Sequence, residues 1–101
     1  MFNSSAVKIG DISVGGESPL VFILGPCQIE NRDHALFMAE KIVKVCEPSS
    51  SKFIFKSSFD KANRSSITSS RGIGIEEGLK ILDEVKSTFR CPVITLSLIH
   101  I

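Results

Sequence analysis

The sequence contains no tryptophan and no tyrosine, so its seven phenylalanines supply all of the aromatic packing. Its three cysteines are widely spaced and odd in number, which does not match a disulfide framework and favours a reducing, cytoplasmic setting. No apolar run approaches the roughly 18 residues of a membrane span. The N-terminus also lacks the basic segment and apolar stretch of a secretory signal, so we expect no membrane association.

The sequence has almost no excess of charge of either sign, because its 12 Lys and Arg residues are balanced by 11 Asp and Glu residues. A net charge of +1 argues against a nucleic-acid binder that depends on a global basic field. With 43% hydrophobic and 23% charged residues, the 101-residue chain has an ordinary globular composition, and intrinsic disorder is not expected.

The hydrophobic pattern predicts alternating strands and helices. Residues 6–14 alternate around Gly10-Asp11, as in a short β-hairpin. A continuous apolar run at 20–24 is typical of a parallel strand that is buried on both faces, and residues 52–58 and 92–95 are further strand candidates. Apolar positions with helical spacing predict two helices, one capped by Asn31 and ending near Cys46, the other spanning about 75–89.

This order, a hairpin followed by βαβαβ, predicts an α/β fold with a parallel sheet. Two helices cannot cover both faces and both edges of such a sheet, so the chain either belongs to a larger fold or assembles with other copies. We favour the first alternative and expect residues 1–95 to form the N-terminal part of a single (β/α)8 TIM barrel domain, which needs roughly 250 residues. Residues 96–101, Leu-Ser-Leu-Ile-His-Ile, resemble the translation of a sequencing-library adapter, and we interpret them as a non-native artefact.

A first candidate site follows the first buried strand, at Gly25-Pro26-Cys27. Ligands of parallel α/β folds bind at this end of the strands. Cys27 is therefore a candidate nucleophile or soft metal ligand, and the alternative is a small buried apolar residue. Cys46 lies on the apolar helix face and Cys91 precedes a proline, and for both we expect the structural role.

A second candidate site is the polar segment that follows strand 52–58, at residues 56–66. It combines three cations (Lys56, Lys61 and Arg64), four serines and Asn63 within 11 residues. Guanidinium and ammonium groups with hydroxyls and free backbone N–H groups form anion sites, so this segment is a candidate cradle for phosphorylated or carboxylated small molecules. The alternative is a solvated polar loop.

Three segments together identify the chain as similar to the 3-deoxy-D-manno-octulosonate 8-phosphate synthases, also called 2-dehydro-3-deoxyphosphooctonate aldolases. These are LGPCQIE at residues 24–30, FKSSFDKANRSS at 55–66 and RGIGIEEGLKIL at 71–82. The related 3-deoxy-D-arabino-heptulosonate 7-phosphate synthases share the GPC segment but have a KPRTS-like segment at the position of residues 56–63. The middle segment therefore separates the two families.

The resemblance implies a cytoplasmic enzyme of lipopolysaccharide biosynthesis, usually a homotetramer, that condenses phosphoenolpyruvate with D-arabinose 5-phosphate and water. It implies that Lys56, Ser58 and Lys61 bind phosphoenolpyruvate, with Lys61 near the reacting carbons as the catalytic residue. It further implies that arabinose 5-phosphate is bound by Asn63, Arg64 and Ser65.

Cys27 matches the cysteine of the metal-dependent branch of the family. The metal-independent branch has asparagine at this position. The resemblance thus implies a divalent metal (Zn, Fe or Mn), no organic cofactor, and further metal ligands (a His, a Glu and an Asp) beyond Thr95. Family members have an acidic residue directly after this threonine, whereas this chain has Leu96. We therefore expect the 101-residue chain by itself to be inactive.

Two other functions stay open from the residues alone. One is the heptulosonate phosphate synthase activity, which uses erythrose 4-phosphate. The other is a non-catalytic module that binds phosphate or RNA through residues 56–64, although aromatic residues for base stacking are scarce there.

Overall fold

The fold is that of a computed structural model, which describes residues 5–59 and 74–96. Within these residues the elements, in chain order, are β1 (Val7–Ile9), β2 (Ile12–Val14), β3 (Val21–Leu24), α1 (Arg32–Cys46), β4 (Lys52–Lys56), α2 (Ile75–Phe89) and β5 (Val93–Ile94). A 3₁₀ turn at Glu47–Ser49 follows α1 directly.

The first two strands form an antiparallel hairpin in which Val7 pairs with Val14. Its turn contains Gly10 in the left-handed region at φ 58°, a conformation that glycine adopts without steric cost. The turn lies close to the start of β5, because a Cβ added at Gly10 would be 3.4 Å from Cγ of Pro92. The hairpin therefore reaches the amino-terminal end of the second sheet.

The second sheet is parallel, with the strand order β3-β4-β5. Its central strand, β4, is buried over Phe53–Phe55, which explains the unbroken apolar run in the sequence. Because all three strands run in one direction, their carboxyl ends meet at one edge of the sheet. The chain segments that follow β3, β4 and β5 are thus neighbours in space.

Both helices pack on the same face of this sheet. The side chain of Asn31 caps α1 by accepting a hydrogen bond from the backbone N–H of His34 at 2.8 Å, as predicted. The buried residues of the two helices form one core with alternate residues of β4, and its members are Ile29, Ala35, Ala39, Cys46, Phe53, Phe55, Ile81, Leu82, Val85 and Cys91. Since side chains alternate along a strand, Ile54 and Lys56 lie on the face of β4 that the helices do not cover.

A charged pair joins the exposed surfaces of the two helices. The guanidinium of Arg32 in α1 donates two hydrogen bonds to the carboxylate of Glu84 in α2, one of them 2.7 Å long from Nε. These hydrogen bonds raise the pKa of Arg32 and lower the pKa of Glu84. Because the pKa of Glu84 is lowered by folding, the stabilisation from this pair is present above the unfolded pKa and is lost as the pH falls through the folded one.

The predicted α/β class is confirmed, and in the described residues both edges of the parallel sheet carry exposed apolar side chains. Leu20 beside β3 is 75% exposed, and Ile23 in β3 is 56% exposed. At the other edge, Ile94 and Leu96 are also exposed. Within the described part of the chain, no helix has the length and apolarity needed to cross a membrane.

The chain passes unusually close to β4 at Gly25, immediately after β3. A Cβ added at this position would lie 1.8 Å from the carbonyl oxygen of Lys56 and 2.8 Å from its carbonyl carbon. Because these are backbone atoms, no side-chain rotation relieves the overlap. Only glycine therefore allows the end of β3 to approach the end of β4 in this way.

We expect Gly25→Ala to lower the free energy of unfolding by at least about 2 kcal/mol, because the ends of β3 and β4 must move apart. Thermal denaturation of the purified variant measures this effect. The matched control is Gly16→Ala, in which the nearest atom to the added Cβ is 3.4 Å away and φ is 59°. In the control, the only expected loss of stability is about 1 kcal/mol, which is the cost of placing alanine in the left-handed backbone conformation. Equal losses for the two variants would show that the close approach is not decisive.

Candidate functional site

The candidate site is the edge of the parallel sheet at which β3, β4 and β5 end. Pro26 and Cys27 follow β3, Ser57 and Ser58 follow β4, and Thr95 follows β5. Pairing between the first two segments continues past the strands themselves, through a parallel bridge between Gln28 and Ser58. The structure therefore brings together two segments that the sequence separates by about 30 residues, a separation that agrees with a βαβ unit.

Cys27 is exposed at this edge, whereas Cys46 and Cys91 are buried. The alternative of a small buried apolar residue at Cys27 is therefore wrong, and the structural interpretation of the other two cysteines is confirmed. Burial also raises the pKa of the Cys91 thiol, which disfavours the thiolate needed for nucleophilic attack or metal binding. In the described residues, Cys27 is the one cysteine that solvent and ligands reach.

The backbone around Cys27 is held directly against the end of β4. The carbonyl oxygen of Cys27 accepts a hydrogen bond from the Ser58 N–H at 3.2 Å, and the Ile29 N–H donates to the Ser58 carbonyl at 2.8 Å. In this parallel pairing Ser58 lies opposite Gln28, and Cys27 is the preceding residue, joined to Ser58 by its backbone carbonyl. Two residues that the sequence resemblance assigned to different ligands, a metal and phosphoenolpyruvate, are thus neighbours.

Lys56 is the last residue of β4 and lies on the face that neither helix covers. Its side chain is partly buried, as expected for a lysine that continues an apolar strand. Among the described residues, no carboxylate lies within ion-pair distance of its ammonium group. An anionic ligand at the sheet edge therefore meets a cation that these residues leave unneutralised.

Of the two serines after Lys56, Ser57 differs from the sequence-based expectation. We expected the serine hydroxyls of residues 56–66 to contribute together to an anion cradle. The structure corrects this for Ser57, whose side chain is fully buried and donates a 2.7 Å hydrogen bond from Oγ to the carbonyl oxygen of Pro26. Ser58 is 8% exposed. The Ser57 hydroxyl is thus used within the protein, not for a ligand.

Sequence reasoning also missed Thr95 as part of this edge. Its Oγ1 donates a 2.7 Å hydrogen bond to the carbonyl oxygen of Ser57. A threonine directly after a short apolar strand was the available signal, because hydroxyl side chains often bond to neighbouring backbone at strand and helix ends. The sequence does not show which carbonyl accepts that bond.

The remaining predicted site residues fall within residues 60–73, outside the described residues. They are Lys61, Asn63, Arg64 and Ser65. Their roles in substrate binding and catalysis stay predictions, and so do the roles of Lys56, Ser58 and Cys27, since position at the sheet edge does not test them.

A metal at this edge needs more ligands than the described residues supply. Across residues 5–59 and 74–96, no group of three or more His, Cys, Asp and Glu side chains is arranged to hold a metal ion. Protein-bound transition metals usually take three or four protein ligands. Cys27 is suited to be one of them, as an exposed thiol, but the described residues do not complete a metal site.

A cavity of about 720 Å³ lies at the opposite end of the sheet. The hairpin turn at Gly10, the amino-terminal end of β4 at Lys52 and Phe53, and the segment before β5 line it. Ligand sites of parallel α/β folds lie at the carboxyl ends of the strands. We therefore place the candidate site at the edge that carries Cys27 and Lys56, not in this cavity.

Known proteins match the chain over nearly its whole length. A protein from Rickettsia prowazekii named 2-dehydro-3-deoxyphosphooctonate aldolase is 60% identical over 89 residues, which is 88% of this chain and 32% of that protein. Proteins of the same name from Rickettsia felis and Rickettsia rickettsii are 58% identical over the same lengths. The chain thus spans about a third of the length of the curated relatives that it matches. The family model described as the DAHP synthetase I family matches residues 3–99, and the chain belongs to this family.

Proposed function

We propose that the full-length protein containing this segment condenses phosphoenolpyruvate with D-arabinose 5-phosphate and water. The products are 3-deoxy-D-manno-octulosonate 8-phosphate and inorganic phosphate. The observation that carries this proposal is the 58–60% identity to proteins named 2-dehydro-3-deoxyphosphooctonate aldolase across 89 residues. The alternative, a heptulosonate phosphate synthase, is supported by the description of the family model as the DAHP synthetase I family. Residues 55–66, however, lack the KPRTS-like segment of the heptulosonate phosphate synthases.

The proposal extends to the architecture of the whole protein. We propose that residues 1–95 are the first part of a (β/α)8 barrel, that residues 96–101 are not native, and that the complete enzyme is a cytoplasmic homotetramer. Two observations support the barrel. The parallel sheet has helices on one face and apolar side chains exposed at both edges, as expected if further strands continue it. The relatives are also about three times as long as the chain.

The chemistry of the substrates explains why cations are needed at this edge. Phosphoenolpyruvate carries a carboxylate and a phosphate, and arabinose 5-phosphate carries a second phosphate. Their mutual repulsion opposes binding in one site, and Lys56, Lys61 and Arg64 offset it. Binding also holds the vinyl carbon of phosphoenolpyruvate against the aldehyde carbon of the sugar, which replaces a bimolecular encounter by proximity.

Within this arrangement each residue has a distinct proposed task. Lys56 and Ser58 bind phosphoenolpyruvate, and Lys61 stabilises charge at the reacting carbons. Residues 63–65 bind the sugar phosphate, where Arg64 gives the planar bidentate contact that phosphate favours. Cys27 contributes one ligand to a divalent metal, which when bound supplies a Lewis acid to orient the aldehyde or a water molecule.

The test of the proposed function is substrate selection by the purified full-length protein. We expect release of phosphate and formation of the eight-carbon product when phosphoenolpyruvate is supplied with arabinose 5-phosphate. Turnover with erythrose 4-phosphate in its place should be at least about 100-fold lower in kcat/KM. Preference for erythrose 4-phosphate would establish the heptulosonate reaction instead, and no turnover with either sugar would refute both.

The cation segment predicts two different kinetic losses in the full-length protein. Lys61→Ala should remove most of kcat, since no other group replaces its charge at the reacting carbons. Arg64→Ala should mainly raise KM for arabinose 5-phosphate, by about 30- to 150-fold, because it removes a bidentate contact of about 2–3 kcal/mol. Steady-state kinetics with each substrate varied in turn measure both effects.

The matched control for these variants is Lys44→Ala, which removes an exposed lysine of α1 that pairs with Glu40. It should leave both kinetic constants unchanged. An unchanged KM for arabinose 5-phosphate in Arg64→Ala would show that the sugar-phosphate assignment is wrong.

The match of Cys27 to the cysteine of the metal-dependent branch of the family predicts a metal requirement. We expect the purified full-length protein to contain a divalent transition metal, and Cys27→Asn to lower metal affinity at least about tenfold, because amide oxygen is a weaker ligand for such ions than thiolate. Elemental analysis and metal titration measure this directly. Cys46→Ala, which removes a buried thiol, should retain the metal. Full activity after complete removal of metal by a chelator would contradict the prediction.

A further inference from the structure

Ser57 is unusual among the residues of the sheet edge because it is polar, fully buried and bonded to both neighbouring chain segments. Its Oγ donates to the carbonyl oxygen of Pro26, after β3, at 2.7 Å. Its backbone N–H donates to the carbonyl oxygen of Ile94 in β5 at 3.2 Å, and its own carbonyl accepts the 2.7 Å hydrogen bond from Thr95 Oγ1. One residue thus links the ends of all three parallel strands.

The residues next to these bonds are those with proposed ligand contacts. Ser57 lies between Lys56 and Ser58 in the chain, and Pro26 directly precedes Cys27. The Ser57 hydroxyl bond and the backbone bond from Ser58 to Cys27 are consecutive along the two segments. The Ser57 hydroxyl thus joins the segment that carries Cys27 to the segment that carries Lys56, beside the backbone hydrogen bond from Ser58 to Cys27.

Regular strand pairing does not explain this arrangement. The paired residues of β3 and β4 end at Leu24 and Phe55, and the chain then passes Lys56 closely at Gly25. Proline has no N–H, so Pro26 offers only its carbonyl to the neighbouring segment. The side chain of Ser57 supplies the donor for that carbonyl, and pairing resumes at the Gln28–Ser58 bridge with the register shifted by one residue relative to Leu24–Phe55.

We propose that Ser57 is a positioning residue of the active site, which fixes Cys27 relative to Lys56 and Ser58 across the shifted pairing of the two segments, while Thr95 holds the β5 side. The inference rests on the proposed function for its kinetic consequence, but its structural part is independent of any reaction. Without the hydroxyl, the segment at Pro26–Cys27 loses its side-chain bond to β4 and samples other positions. Lys56 and Ser58 are then misaligned with the groups on the β3 side.

The experiment compares three variants of the full-length protein. Ser57→Ala removes the bond to Pro26, and Thr95→Val removes the bond to the Ser57 carbonyl while it keeps the branched shape. Ser49→Ala is the control, because it also removes a serine bond to a backbone carbonyl, that of Cys46, but at the other end of β4.

Amide hydrogen exchange is the first readout. In Ser57→Ala we expect exchange of the Ile29 and Ser58 amides to become at least tenfold faster, because these amides bridge the two segments. The Phe55 amide, which donates to Pro92 farther from the edge, should be unchanged. In Thr95→Val the Ser57 amide should exchange faster, and Ser49→Ala should alter none of the four. Unchanged exchange at Ile29 and Ser58 in Ser57→Ala would overturn the inference.

The second readout separates positioning from a purely structural role. Ser57→Ala should lower kcat at least tenfold and raise KM for phosphoenolpyruvate, with little change in KM for arabinose 5-phosphate, whose proposed ligands lie in residues 63–65. A lower unfolding temperature with wild-type kcat would show that Ser57 only stabilises the fold. If Ser57→Ala does not fold, Thr95→Val carries the same kinetic test. An inactive wild-type protein would refute the proposed function, while hydrogen exchange would still decide the structural part.

Discussion

The close approach of the chain at Gly25 to the carbonyl of Lys56 is the constraint on which the candidate site depends. An added Cβ would lie 1.8 Å from that oxygen, so the end of β3 comes this near only because residue 25 has no side chain. The approach allows the Pro26 carbonyl to reach the hydroxyl of Ser57 and the Cys27 carbonyl to reach the amide of Ser58. The sheet edge is consequently held together by neutral hydrogen bonds.

Because neutral hydrogen bonds hold the strand ends together, the ammonium group of Lys56 is not used for this purpose. In the described residues, the carboxylates with ion pairs to lysine or arginine meet them on the helices, as Glu84 does with Arg32 and Glu40 with Lys44. No such pair involves Lys56. A cation on a partly buried strand end that has no carboxylate partner among the described residues favours binding of an anion.

The same structure explains why the segment is expected to act within a larger protein. β4 is buried between two neighbours, while β3 and β5 expose apolar side chains such as Ile23 and Ile94 at the edges of the sheet. An uncovered parallel sheet is unfavourable in water, because both its apolar surface and its edge hydrogen-bonding groups need partners. The relatives that the chain matches are about three times as long as the chain.

The sequence by itself determined the elements, because each depends on local pattern. Apolar periodicity located α1 and α2, Asn31 identified the cap of α1, a continuous apolar run located β3, and residues 52–58 were a strand candidate that contains β4. Residues 55–66 likewise indicated the family before any fold was known. Only the tertiary structure decided how the strand ends meet. The sequence grouped Ser57 with the other serines as an anion ligand, and its true partner, the carbonyl of Pro26, is 31 residues away. A hydroxyl can donate to any nearby acceptor, so the choice between a ligand and a backbone carbonyl is made by burial and by the register of neighbouring strands, neither of which a local pattern contains.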